Sequence, residues 1–97
     1  MANNREGEDQ QQVALMDLEI DQIMGFFASV CSTKAMEYMG FQLNPDKEPV
    51  KDLIKASLAI DCTSFMVEKL NPFVSEEERK ALQSMVSDLK LNYVKVS

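Results

Sequence analysis

The sequence predicts an all-α fold, a small three-helix bundle that pairs as a homodimer, and three observations support that expectation. Its 97 residues, 45% apolar and 27% charged, suit one small globular domain. Apolar residues recur at three- and four-residue steps in three segments divided by breaks that contain Pro or Gly, without the alternation a strand needs. A chain this short buries only a modest share of its surface on folding, so a second subunit would stabilise it.

The opening stretch comes first. Residues 1–12 hold one apolar side chain beyond Met1 and cannot repay their ordering entropy, so residues 1–16 are expected to be a disordered, dispensable tail. Residues 17–97 then form a single three-helix domain.

The first helix begins near Ile20. Ile20, Met24, Phe27, Cys31, Ala35 and Tyr38 make its core stripe, widened by Ile23 and Val30, and Gly40 stops it. Pro45 and Pro49 bar a continuous helix through the linker, and Pro49 suits the first turn of a second helix running to Leu70. That helix carries two apolar strips, Ile54, Leu58, Cys62 and Phe65 on one side and Leu53, Ile60 and Val67 on the other, so it needs two neighbours. Asn71-Pro72 breaks it. Ser75 and Glu78 spell a capping box that opens a third helix, whose acidic first turn suits the positive end of the dipole. Leu82, Met85, Val86, Leu89 and Tyr93 form its stripe. The closing Leu91-Tyr93-Val94-Val96 pattern fits either a strand or more helix.

Two sets of residues stand out as candidate sites. Opposite the large apolar stripe of helix one lies an uncharged face of Gln22, Gly25, Ser29, Ser32, Thr33 and Met36. A solvated helix face normally carries charge, and a mid-helix glycine costs about 1 kcal/mol unless another backbone approaches, so this face is the candidate dimer interface. On helix two, Ser57, Asp61 and Ser64 form a polar line, a candidate polar site. Asp61 is the only charge between Ala56 and Val67, yet no second acid, base or nucleophile stands in register with it for catalysis.

Composition excludes several classes. The net charge of −6 comes from 16 acidic and 10 basic residues and resides before residue 50, so the clustered cations that bind phosphate are missing and no nucleic-acid partner is expected. The chain has no His, which removes the usual acid–base group near neutral pH and the commonest metal ligand; no enzyme activity, cofactor or metal is expected. Gln22 to Thr33, the longest uncharged stretch among the helical segments, falls well short of the ~20 residues that span a membrane. No targeting segment is visible, and a reducing cytoplasm fits. Cys31 and Cys62 fall on apolar stripes at similar heights of a helix one–helix two hairpin, so they are expected to be a reduced core pair.

The order of features from Ile20 to Val96 resembles a small bacterial family known as domain of unknown function number eighteen forty-four. The residues concerned are Ala35-Met36-Glu37-Tyr38-Met39-Gly40, the Asn44-Pro45 loop, Ile60-Asp61, Ser75 through Glu78, and Leu89-Lys90-Leu91-Asn92-Tyr93-Val94. Asn71-Pro72-Phe73 and Lys90 depart from its pattern. The resemblance implies a fold and no activity, cofactor or catalytic residue.

The function expected is that of a small cytoplasmic homodimeric interaction or scaffold module, with an unidentified protein as a further partner. The alternatives are an apolar peptide- or lipid-binding module with a groove between helices one and two, and a thiol-based redox sensor.

Overall fold

Local backbone chemistry sets where each helix starts and stops. The computed structural model describes residues 15–97, which form α1 (Ile20–Tyr38), α2 (Leu53–Leu70), a short 3-10 turn (Asn71–Phe73) and α3 (Glu76–Val96), with no strand among the described residues. Most of the tail expected over residues 1–16 lies outside the described residues. Leu15 and Met16, at its end, form a helical turn closed by the Leu18 N–H on the Leu15 carbonyl at 3.1 Å.

At the start of α1 the Gln22 side chain accepts the Glu19 N–H at 3.0 Å. Its end is a Schellman turn. Gly40 takes the left-handed conformation, φ +104°, its N–H reaches the Glu37 carbonyl, and the Phe41 N–H reaches back to Met36. α2 begins four residues later than Pro49 suggests. The Asp52 carboxylate accepts the Lys55 N–H at 3.1 Å, and that cap, rather than proline's fixed φ, sets the first turn. The Asp52 N–H also donates to the Tyr38 carbonyl at 2.8 Å, which ties the linker to the end of α1. Ser75 caps α3 as its spacing requires, accepting the Glu78 N–H at 3.2 Å while its hydroxyl donates to the Glu78 carboxylate. The closing Leu91-Tyr93-Val94-Val96 segment continues α3, because Tyr93 and Val96 reach the core at helical spacing.

α1 and α2 form an antiparallel hairpin. Tyr38 lies beside Lys55 and Cys31 beside Cys62, so seven residues back along α1 correspond to seven forward along α2. α3 covers one face of that hairpin. The molecule measures 46 × 37 × 20 Å, and its short dimension matches two layers of helices.

The core is built from small side chains. Ala35, Met39, Ala56, Ala59, Ile60 and Leu89 form the buried cluster, with Met36, Tyr38, Tyr93 and Val96 packed against it. Thr63 is fully buried and donates its hydroxyl to the Ala59 carbonyl at 2.7 Å, so its burial leaves no donor unpaired.

This core corrects two expectations. Only Ala35 of the stripe predicted for helix one is fully buried; Ala28 and Met39 join it, whereas Ile20 remains 66% and Phe27 46% exposed. α1 is apolar around most of its circumference, so its closest contact goes to the alanines that let α2 approach. On α2, the strip of Ile60 and Val67 turns inward, and the strip of Ile54, Leu58, Cys62 and Phe65 turns out to solvent. Cys31 and Cys62 are therefore not a core pair: Cys31 is half-buried at the edge of the α1–α2 contact, and Cys62 is exposed.

Candidate functional site

The outward strip of α2 is the surface most unlike a solvated helix face. Ile54, Leu58 and Phe65 follow at four- and seven-residue steps and are 84%, 64% and 58% exposed. They point directly away from buried Ala56, Thr63 and Val67 because these two sets occupy opposite sides of the 3.6-residue turn. On α1, Ile20 and Phe27 are exposed as well, at 66% and 46%.

Charge on this surface is sparse and arranged around rings. The Lys34 ammonium lies 5.0 Å from the Tyr38 ring centroid and pairs with Glu37 at 3.0 Å, a contact that raises the lysine pKa above its usual value. Lys55 approaches the Tyr38 ring at 5.9 Å, and Lys69 sits 5.5 Å over Phe65. Asp61 is exposed too, but at the edge of α2 that borders α3. Desolvation at the helix contact, and secondly the neighbouring Cys62, push the Cys31 thiol pKa up, which holds it further in the unreactive protonated form.

The six residues expected at a dimer seam are divided by the structure. Ser32 and Met36 line a groove of about 570 Å³ against Ala81, Ser84, Met85 and Leu89 of α3. Gln22 and Gly25 line another, of about 450 Å³, with Leu70, Phe73 and Leu82. Ser29 and Thr33 are exposed, and the Thr33 hydroxyl donates to the Ser29 carbonyl at 3.0 Å. A Cβ added at Gly25 would meet nothing within 4 Å, so no helix of this chain requires the glycine.

The polar line of α2 is divided as well. Ser57 and Asp61 border a depression of about 240 Å³ with Lys90 and Tyr93, while Ser64 borders a separate one of about 290 Å³ with Glu68, Gln83 and Ser87. Asp61 therefore shares a shallow depression with a lysine and a phenol of α3. Among the described residues no group of three or more His, Cys, Asp or Glu side chains could hold a metal ion. No described helix is long and apolar enough to cross a membrane.

The family model for a domain of unknown function, DUF1844, matches residues 19–95. The chain belongs to this family. The DUF1844 match opens on Glu19, immediately before α1, and closes in the last turn of α3, so the three helices are the family's unit. No curated protein and no solved structure matches the chain.

The outward apolar face is the feature that sequence reasoning assigned differently. Its residues were legible as stripes; which stripe would stay uncovered was not. One signal was available: α2 has two apolar strips, and a single remaining helix covers one.

Proposed function

We propose that the chain is a small protein-interaction module that works as a homodimer through the open face of the α1–α2 hairpin. The observation supporting this is the outward strip of Ile54, Leu58 and Phe65 on α2, with Ile20 and Phe27 of α1 exposed as well. Isolated exposed apolar residues are ordinary, but a strip of them along one helix face is the mark of a contact surface. The chain acts by binding and not by catalysis, a reading supported by the lack of His and by a polar line divided between two shallow depressions. Its partners are proteins and not nucleic acid or membrane, in keeping with a net charge of −6. It works in the cytoplasm, where its two free thiols would stay reduced. Sedimentation equilibrium at micromolar concentration tests the reading: a mass twice 11.0 kDa supports it, and a monomer overturns it.

A second reading, an apolar peptide- or lipid-binding module, draws support from the groove between α1 and α3 bordered by Met36, Met85 and Leu89. A medium-chain fatty acid or an apolar helical peptide would then raise the melting temperature of the native protein by mass action. An unchanged melting temperature at saturating ligand would remove that reading.

A further inference from the structure

The two depressions between α1 and α3 meet at Ala81, which borders both, and so make one groove along the molecule. We propose that this groove seats a basic amphipathic helix of another protein. The proposal rests on the peptide-binding reading of the groove given above and names the chemistry of the peptide.

Shape supplies the first argument. Gly25 stands across from Leu82 at one end of the groove and Met36 across from Leu89 at the other, so the walls on α1 and α3 advance in the same direction. From Gln22 to Met36 the α1 wall covers about 21 Å, roughly four helical turns. The floor is apolar: Leu70 and Leu89 are buried, with Leu82 and Met85 half-buried beside them. A Cβ added at Gly25 would meet nothing within 4 Å, so another backbone can come close to α1 there. Met36 and Met85, each with three rotatable side-chain bonds, can repack against helices of differing sequence. A helix laid in such a groove buries the apolar stripe that recurs at three- and four-residue steps.

Charge selects the occupant. Asp21 and Glu78 border one depression and Asp88 the other, and among the described residues no Lys or Arg lines either. None of these three carboxylates is paired with a cation among the described residues. An apolar floor beneath an acidic rim complements a helix whose apolar stripe is flanked by Lys or Arg. A second copy of this chain, with its net charge of −6, and an anionic fatty acid both bring the wrong sign to that rim.

Isothermal titration calorimetry of the full chain with three synthetic helical peptides of about 16 residues tests the proposal. The peptides share one stripe of Leu and Ala and carry Lys, Gln or Glu at the remaining positions. The Lys peptide should bind at least about tenfold tighter than the Gln peptide and the Glu peptide most weakly, with the differences shrinking as salt is raised. Asp88→Lys should narrow the gap between the Lys and Gln peptides. Ala81→Trp, which fills the junction of the two depressions from an exposed position, should abolish binding of the Lys peptide while circular dichroism shows unchanged helix content. A Lys peptide that binds Ala81→Trp as tightly as the native protein is held by unspecific attraction to an acidic chain, which overturns the proposal. Equal affinity for the three peptides overturns it too, while leaving the peptide-binding reading in place. If neither the peptides nor a medium-chain fatty acid binds, that reading and the proposal fall together. Binding of the fatty acid alone assigns the groove to a lipid, and a native dimer that Ala81→Trp dissociates assigns it to a second copy; either result overturns the proposal.

Discussion

The two faces of the α1–α2 hairpin have opposite economies of side-chain size. The covered face is small: Ala28, Ala35, Ala56, Ala59 and Thr63 let the backbones approach, and Leu89 of α3 closes over them. The open face is large, with Phe27, Leu58 and Phe65 standing in solvent. Size, then, does not rank residues by burial in this molecule. Small residues set how close two helices come, and large ones sit where a neighbour is still to be supplied.

The greatest effect is expected on the covered face. Ala56→Leu adds volume where α1 and α2 are in contact and should destabilise the fold by about 1–3 kcal/mol through overpacking. Urea denaturation at fixed protein concentration measures it, and an unchanged midpoint would mean that the seam is looser than its buried alanines indicate. A loss away from both faces calibrates that number. Ser75→Ala removes the cap of α3 and should cost about 1 kcal/mol, at any protein concentration.

The open face should respond differently. In dilute solution Leu58→Ala should change stability by no more than about 0.5 kcal/mol, because the side chain is largely exposed in the single chain. At high concentration the same variant should melt below the native protein if that face is paired. A concentration-independent loss would show that Leu58 supports the fold of the single chain. The smallest effect is kinetic. Exposed Cys62 should be alkylated before Cys31 at pH 8, because the raised pKa of Cys31 lowers its thiolate fraction and its half-buried position limits access. Mass spectrometry after limited modification reads the order, and faster labelling at Cys31 would contradict its placement against α2.

Helix existence and most helix ends were legible because they are local. Gly40 can take a positive φ, Ser75 and Glu78 satisfy free N–H groups, and Pro72 supplies none, so these positions announce boundaries without tertiary context. The start of α2 was less legible, because Pro49 and Asp52 both suit a first turn and only the Asp52 cap is formed. The candidate polar site was half legible. Ser57, Asp61 and Ser64 do share one side of α2, but the depressions along α3 separate Ser64 from the other two.

By itself the sequence determined three helices, their order and the residues that cap them, since these depend on φ preferences and hydrogen bonds within a few residues of each other. The tertiary structure decided which face of each helix is inside. α1 carries a broad apolar arc and α2 two apolar strips, so periodicity yields several directions of equal merit for burial. Close backbone approach chose among them: alanines at positions 28, 35, 56 and 59 permit a tight hairpin, α3 packs against it, and larger side chains such as Phe27, Leu58 and Phe65 are left exposed.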